Sequence, residues 1–394
     1  MEKSPREAAI RGSASKTGAA SDDIPDHLLV DLLGEFLHGD VNSFCSVSKV
    51  CKSWSMALLN EPFWQKCLIS RFGPDERIYH PRRVYDSACP AKETYAATHS
   101  LERRFSSGDF TSLDWRLFSS PLTDILILED CVYIGDSLGN LRLYQISNQS
   151  VSPLSIQPPT GGGVSCLGSL GEFIVSGHAD GTVNIWSPFV DNISSVLAHE
   201  RDSRVNSISA CVDAFFASSS PVDMSVCVMD AERGVKSFSK RFTPESSPNS
   251  VHCLHPQLIL VGSRDNAARI IDVRTRYGTV LSTHHLTDWC LCVEWANEFT
   301  FRASDKAVNL FDIRASGPIE TRHAGDRLIT RFKSDSVLRL VSCGLDGQVR
   351  ISSLEDPNMN VHIQSNEDYI LSVDFTRTAL CCGGINGLFQ SFVF

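Results

Sequence analysis

Two patterns of apolar positions divide the chain. In the first part, apolar side chains recur three and four residues apart, as at Leu28, Leu29, Leu32, Leu33 and Phe36, which is the spacing of an amphipathic helix. Downstream of residue 110 the chain changes to short β-branched runs that are separated by turn residues. This second pattern is typical of strands. The sequence therefore predicts a two-domain protein, with a helical N-terminal domain followed by an all-β domain.

The helical domain has start and stop signals for three short helices. Asp22 can cap the first helix and Pro25 suits its first turn. Gly39 is a C-terminal stop, and Asp40 can cap a second helix; a third carries Trp54. Three helices of this size leave much apolar area exposed when they stand alone. We therefore expect their surplus apolar face to contact a partner.

The same segment carries an ordered series of motifs between residues 22 and 66. They are Ile24-Pro25, the Leu-rich first helix, Asp40-Val41, Val50-Cys51-Lys52-Ser53-Trp54 and Pro62-Phe63-Trp64. This series resembles the F-box throughout its length. In that family the opening proline and the apolar side chains pack against a Skp-type adaptor, which holds a cullin and its ring-finger partner.

The resemblance implies a set of adaptor contacts in this chain. They fall on Ile24, Pro25, Leu28, Leu32, Leu33, Val41, Val47, Trp54 and Trp64. For any single leucine, an ordinary three-helix core explains the helical spacing equally well. The motif as a whole favours the F-box.

A further helix is predicted after the F-box-like segment. Pro90 can start it, with Tyr95, Leu101 and Phe105 on one side. Residues 67–110 resemble the helical linkers that fix the distance between adaptor and propeller in receptors of this kind.

The β domain repeats one unit, in which an Asp-like slot precedes an aromatic-like slot by six residues. The seven units pair Leu138 with Tyr144, Asp180 with Trp186, Asp223 with Met229, Asp265 with Ile271, Asp305 with Phe311, Asp346 with Ser352 and Asn386 with Phe392. Successive first slots are 40 to 43 residues apart, and WD repeats have a period of about 40–45. The units resemble WD repeats from Leu113 to Phe394, which implies a seven-bladed propeller over residues 111–394.

The WD-repeat family also implies a hydrogen-bonded network in each blade. A His in the loop that enters a blade meets the turn Asp, and a strand Ser or Thr and the Trp complete the network. A His lies 22 to 24 positions upstream of three slots: His199 before Asp223, His323 before Asp346 and His362 before Asn386. His284 or His285 similarly precedes Asp305.

No blade has all four network residues. The Asp180 blade has Ser176 and Trp186 but lacks the His, and the Asp223 and Asp346 blades lack the Trp. The predicted turn and network residues are Asp180, Asp223, Asp265, Asp305, Asp346, His199, His323, His362 and Trp186.

The last repeat ends on what would be the third strand of its blade. Asp114-Trp115-Arg116-Leu117-Phe118, before the first blade, has the character of the missing fourth strand. Closing the ring with this segment would remove exposed sheet edges.

Composition and charge limit the functions of the chain. The formal net charge of -10 has the wrong sign for a general nucleic-acid partner. The 14 cysteines include no Cys-x-x-Cys pair and are expected to be buried thiols in a reducing compartment. Residues 1–21 lack the apolar core of a secretory signal and are expected to form a disordered tail. No apolar run reaches the length of a membrane span, so we expect the protein in the cytoplasm, the nucleus or both.

Catalytic, metal and cofactor motifs are not found in the sequence. The nearest metal candidate, His252-Cys253-x-His255, falls on a predicted strand and has no second ligand pair at zinc spacing. The Asp and His pairs recur once per repeat, which favours a structural role. The sequence predicts neither a cofactor nor a catalytic residue.

The combined resemblance implies a substrate receptor of an SCF-type ubiquitin ligase. Its target would bind the propeller face that carries the His and Asp loops. Arginines in or beside those loops could grip an acidic or phosphorylated segment; they are Arg201, Arg204, Arg264, Arg322 and Arg327. Acidic residues lie in the same loops, and a solvated surface of mixed charge is the alternative.

Three other functional hypotheses remain open. Ile271-Asp272-Val273-Arg274 and Phe311-Asp312-Ile313-Arg314 resemble the Trp-Asp-x-Arg ending of receptors for cullin-4-type ligases, although both lack the Trp. A non-catalytic scaffold is the second reading, because propellers host many functions. An enzyme is the third; ionisable residues that converge on a pocket at the central channel would indicate it.

Overall fold

The structure of the protein is a computed structural model that describes most of the chain. The described residues are 61–72, 90–116, 119–128, 131–147, 150–157, 162–171, 173–187, 190–210, 215–275, 277–335, 339–354, 359–376 and 378–394. The chain divides into two compact units, Met1–Ser100 and Leu101–Phe394.

Two α-helices precede the strands in the described residues. Helix α1 comprises Glu61–Phe72 and helix α2 comprises Pro90–Ser107. Helix α2 starts at the proline that the sequence indicates, because proline at a first helical position has a suitable φ and no N–H to satisfy. Helix α1 continues past residue 66, where the F-box-like segment was expected to end.

The described helices of the first unit pack through aromatic side chains and a cap. Both oxygens of the Glu61 carboxylate accept the backbone N–H of Ala91, at 3.0 and 3.1 Å. A carboxylate at this position satisfies a free donor of the first turn of α2 and complements the helix dipole. The rings of Trp64 and Tyr95 lie 5.2 Å apart. Trp64 is only 5% exposed, and its role as an adaptor contact stays a prediction.

The other eight predicted adaptor contacts lie outside the described residues. They are Ile24, Pro25, Leu28, Leu32, Leu33, Val41, Val47 and Trp54.

The described strands of the second unit form seven four-stranded antiparallel sheets, which are the blades of a propeller. Blade 1 contains β2 (Leu122–Leu128), β3 (Cys131–Asp136), β4 (Leu141–Ser147) and β5 (Ser150–Gln157), and blade 2 contains β6 (Val164–Leu170), β7 (Phe173–His178), β8 (Thr182–Ser187) and β9 (Val190–Leu197). Blade 3 contains β10 (Ser207–Ala210), β11 (Phe215–Ser220), β12 (Ser225–Asp230) and β13 (Val235–Arg241), and blade 4 contains β14 (Pro248–His255), β15 (Leu258–Ser263), β16 (Ala267–Asp272) and β17 (Thr279–His285). Blade 5 contains β18 (Cys292–Trp295), β19 (Thr300–Ser304), β20 (Val308–Asp312) and β21 (Pro318–Arg322). Blade 6 contains β22 (Ile329–Ser334), β23 (Arg339–Gly344), β24 (Gln348–Ser353) and β25 (Asn360–Gln364).

Blade 7 is built from both ends of the propeller. Its strands are β26 (Ile370–Phe375), β27 (Ala379–Gly384), β28 (Leu388–Val393) and, on the outside, β1 (Thr111–Arg116). Strand β1 pairs antiparallel with β28, and Trp115 lies opposite Phe389. The fourth strand predicted over Asp114–Phe118 is thereby confirmed for Asp114–Arg116; the strand begins earlier, at Thr111, and residues 117–118 lie outside the described residues.

The first strand of each blade faces the propeller axis. Each of β2, β6, β10, β14, β18, β22 and β26 contacts the first strand of the next blade, and β26 contacts β2 to close the ring. The apolar core lies between successive blades, where alternating side chains of both sheets are buried.

The last turn of α2 belongs to the second unit and packs against its blades. The ring of Phe105 stacks on that of Phe394 with centroids 3.5 Å apart. The guanidinium carbon of Arg339 lies 4.2 Å from the centroid of the Phe105 ring. Phe105 is fully buried in a cluster shared with blades 6 and 7.

Candidate protein-interaction face

One end of the blades carries all seven predicted Asp slots. In each antiparallel blade, the turn between the second and third strands lies at the same end as the segment that enters the next blade. We call this end the loop face. The sequence placed the slots correctly, since each falls in the turn between the second and third strands.

A left-handed backbone follows the slot in six of the described blades. The φ angle is 94° at Gly139, 88° at Gly181, 57° at Met224, 61° at Asn266, 69° at Gly347 and 77° at Gly387. Gly and Asn adopt such angles with little strain. This requirement explains the Asp-Gly and Asn-Gly pairs of the repeat.

Blade 3 has the His and Asp contact that the spacing predicts. The Nδ1 of His199 lies 3.2 Å from the Asp223 carboxylate, and its Nε2 lies 3.1 Å from the hydroxyl of Ser218. Burial opposes protonation of His199, but hydrogen bonds to Asp223 and Cys227 outweigh it and raise the pKa of His199 to about 9. The imidazolium is therefore the buried partner of a carboxylate.

Blade 2 has a network histidine, His178, that the sequence analysis did not assign to the network. His178 at the end of β7 lies 2.9 Å from the Ser176 hydroxyl, which accepts the indole N–H of Trp186 at 2.6 Å. The Nδ1–H of His178 donates to the carbonyl of Gly162 at 3.1 Å. Burial lowers the pKa of His178, which suits a neutral ring. The signal was present in the sequence, two residues before Asp180.

Blade 6 differs from the predicted pairing of His323 with Asp346. His323 lies 2.6 Å from the Ser342 hydroxyl and 2.9 Å from that of Ser352. Asp346 instead pairs with Arg350. Burial lowers the pKa of His323 to about 3, so this histidine is neutral in the fold.

Blade 7 corrects the assignment of His362. His362 is exposed on the outer strand of blade 6 and does not form the network contact with Asn386 that the spacing predicts. The Glu367 carboxylate accepts the backbone N–H groups of Asn386 and Leu388, both at 3.0 Å. A carboxylate thus satisfies this turn where the family uses a histidine.

Blade 5 replaces the expected histidine with a threonine. Asp305 accepts the backbone N–H and the hydroxyl of Thr287 at 2.9 and 2.7 Å. His284 belongs to the outer strand of blade 4 and packs against the rings of Phe301 and Phe311. The expectation that His284 or its neighbour meets Asp305 is wrong.

The turns of blades 1, 2 and 4 use other partners. In blade 1 Asp136, two residues before the Leu138 slot, accepts the N–H groups of Leu138 and Asn140 at 3.0 and 2.8 Å. In blade 2 Asp180 accepts the hydroxyl of Thr182 at 2.6 Å. In blade 4 Asp265 pairs with Arg269.

The predicted target-binding arginines belong to different segments of the propeller. Arg201, Arg204, Arg264 and Arg327 are exposed on the loop face. Arg322 is different, because it pairs with Glu320 and donates to backbone carbonyls of Ser353 and Leu354. Its side chain is only 11% exposed. Arg322 therefore joins blades 5 and 6, and its role as a target contact stays a prediction.

Charged side chains meet at the propeller axis. Arg331 of blade 6 donates to the Asp124 carboxylate of blade 1 across 2.5 Å. Asp124 also accepts the backbone N–H of Leu167 in blade 2 at 2.8 Å and the hydroxyl of Ser372 in blade 7 at 2.5 Å. A single carboxylate thus connects four blades.

Neighbouring inner strands are joined by further hydrogen bonds from backbone to side chain. The N–H of Ile127 donates to Asp374 at 2.8 Å, that of Cys253 to Ser209 at 3.0 Å and that of Ser334 to Glu294 at 3.2 Å. The nearby Asp374 carboxylate raises the pKa of the Lys333 amine, whereas burial raises the pKa of Glu294. The charged side chains of the inner strands thus interact with one another and accept hydrogen bonds from the backbone.

The described residues include neither a metal-ligand cluster nor a helix long and apolar enough to cross a membrane. Nine of the described cysteines are free thiols, and burial raises the pKa of Cys166 to about 12. Cys253 is disulfide-bonded. The expectation that every cysteine is a free thiol is therefore wrong.

Comparisons with known proteins agree with this architecture. The family described as WD domain, G-beta repeat, matches residues 152–187. This match starts in the outer strand of blade 1 and ends with the third strand of blade 2, so the sequence repeat is offset by one strand from the blade. No curated protein matches the chain.

A solved structure, the WD40 β-propeller domain of Doa1, is similar in fold, with a TM-score of 0.62 and 18% sequence identity. The similarity covers 71% of this chain and 95% of that domain. The repeat match and the fold together support a WD-repeat protein. Its seven-bladed propeller is of the kind that proteins use to bind other proteins.

Proposed function

We propose that the chain is the substrate-recognition subunit of an SCF-type E3 ubiquitin ligase. The observation that carries the proposal is the F-box-like series of motifs in residues 22–66 ahead of a propeller with a rigid loop face. The F-box would dock on a Skp-type adaptor, which holds the cullin and its ring-finger protein. The propeller would capture the target protein.

The subunit would act without catalytic residues of its own. Holding a target lysine near a charged ubiquitin-conjugating enzyme raises its effective concentration, which is catalysis by proximity. The loop face suits target capture, because its turns are fixed by Asp223, Asp305, Glu367 and their equivalents. We place this function in the cytoplasm, the nucleus or both.

A pull-down from a cell extract tests the adaptor contact. The bait is the full chain, beside a variant in which Pro25, Leu28 and Leu32 are changed to Ala. The matched control changes three exposed apolar residues of the outer strands, Leu281, Ile319 and Val280, to Ala. We expect a Skp-type adaptor and a cullin with the parent chain and the control, but not with the F-box variant.

If neither the parent chain nor the F-box variant retains an adaptor, the alternative is a scaffold protein without a link to ubiquitin. In that case the propeller would assemble a complex through the same face. The propeller fold is compatible with both functions.

A cullin-4-type receptor is the second candidate, favoured by the two Asp-x-Arg endings. Arg274 and Arg314 are paired with Asp272 and Asp312, yet their side chains remain 67% and 74% exposed. Both lie at the end opposite the loop face. Co-purification of a cullin-4 adaptor, lost when Arg274 and Arg314 are changed to Ala, would support this candidate.

A further inference from the structure

The segment between blades 4 and 5 presents an exposed indole on the loop face. Trp289 is 45% exposed. The backbone on both sides of it is fixed, since Thr287 donates to Asp305 at 2.7 Å and the N–H of Cys290 donates to the Ser263 carbonyl at 3.1 Å. A large apolar ring is therefore held outward with little conformational freedom. Such rings dominate protein-binding hot spots.

A guanidinium group lies against this indole. The central carbon of the Arg264 guanidinium is 5.5 Å from the Trp289 ring centroid. Its Nε donates to Asn249 at 3.1 Å. Within the described residues, the two terminal nitrogens of Arg264 have neither a hydrogen-bond acceptor nor an ion-pair partner. They form an open fork that matches a carboxylate.

Neighbouring charges compensate one another and leave Arg264 as a cation available to a ligand. The amine of Lys306 lies 3.1 Å from the Asp288 carboxylate, and Arg269 pairs with Asp265. The other exposed arginines of the face belong to other segments. The geometry therefore fits one anionic group beside an apolar side chain better than a polyanion.

We propose that Arg264 and Trp289 form an anchor for an extended peptide segment of the target, in which an Asp or Glu lies next to a large apolar or aromatic residue. This inference rests on the proposed function only in naming the peptide as part of a target. The carboxylate would bind the terminal nitrogens of Arg264, and the apolar side chain would cover the free face of Trp289.

Selection from a random-peptide phage library tests the anchor. The full parent chain is the bait, without any adaptor, and the Arg264→Ala and Trp289→Ala variants are parallel baits. We expect the parent chain to enrich sequences with an acidic residue beside an apolar or aromatic one. Calorimetry with the enriched peptides should then show about tenfold or greater weakening for each variant, through loss of a charged hydrogen-bond pair at Arg264 and of an apolar ring contact at Trp289. Arg264→Lys should be intermediate, because it keeps the charge but not the fork.

The chain offers a matched control at the opposite end of the propeller. Arg314 lies 5.7 Å from the centroid of the Phe299 ring, and Phe299 is 54% exposed. The Phe299→Ala and Arg314→Ala variants should bind the enriched peptides as the parent does, and thermal melts should confirm that all variants are folded.

Several outcomes would overturn the anchor. They are a library that yields no enriched sequence, enriched sequences without an acidic residue, and equal affinity for the Arg264→Ala variant. Stronger binding of a phosphoserine-cluster peptide that lacks any aromatic residue would instead indicate a polyanion site. Because no adaptor is present, these results do not depend on the pull-down.

Discussion

Arg331 and Asp124 form a hydrogen-bonded ion pair between blades 6 and 1, although blade 7 lies between those blades along the ring. The side chain of Asp124 is 4% exposed and that of Arg331 is 19% exposed. The pair therefore links two blades past the inner strand of blade 7, and each member depends on the other to offset the cost of burial.

Changing Arg331 to Ala should destabilise the propeller strongly. Asp124 would stay buried without its cation, which typically costs about 3–5 kcal/mol. Urea unfolding of the full chain, followed by a signal from the propeller, measures the loss. The control Arg201→Ala, at an exposed position, should change the free energy of unfolding by less than about 0.5 kcal/mol. A second change, Asp124→Asn, should recover part of the loss in the Arg331→Ala variant. Equal stability of the two single arginine variants would contradict a structural role for the axial pair.

Because of the buried His199, the free energy of unfolding should fall as the pH rises above neutrality. Its pKa in the fold is about 9, against 6.5 in the unfolded chain. Between these values the folded state holds a proton that the unfolded state releases, so the stabilisation is complete below pH 6.5 and is lost as the pH rises through 9. The shift corresponds to about 3 kcal/mol. Urea unfolding at pH 6, 7.5 and 9.5 checks it, and His199→Gln should remove this part of the pH dependence.

His323 should produce the opposite trend in acid. Its pKa in the fold is about 3, mainly because burial disfavours the charged ring. Below pH 6.5 the unfolded state takes up a proton that the folded state refuses, so stability is lost as the pH falls towards 3. Between pH 6.5 and 4.5 this amounts to about 2 kcal/mol. The His323→Gln variant should show a shallower acid slope than the exposed control His362→Gln. Identical slopes would mean that His323 is protonated in the fold.

The sequence predicted the number of blades and the positions of their turns better than the hydrogen-bond partners within each blade. The Asp slots lie where expected because a tight turn needs an acceptor and a left-handed residue at fixed offsets. The loop partners vary because a window of 22 to 24 residues spans both the outer strand and the next segment. His362 and His284 fall on the outer strand, whereas Thr287 and Glu367 reach the turns from the loops.

The arginines show a second limit of pattern reasoning. Arg264 and Arg322 both fall near predicted loops, but only three-dimensional packing decides their roles. Arg322 is held by two backbone carbonyls of the next blade, and Arg264 is left with an open fork beside Trp289. Spacing along the chain contains no information about contacts between blades.

Phe105 should be essential for attaching the end of α2 to the propeller. Its ring is fully buried between Phe394 and the guanidinium of Arg339. Changing Phe105 to Ala removes this stacking and leaves a cavity, which typically costs about 3–5 kcal/mol for a buried phenylalanine. Phe299→Ala is the matched control, because that ring is 54% exposed and should cost less than about 1 kcal/mol. Urea unfolding gives the free energies, and limited proteolysis should show earlier cleavage near α2 in the Phe105 variant alone. Equal losses in both variants would mean that the stacked rings contribute little to holding the helix.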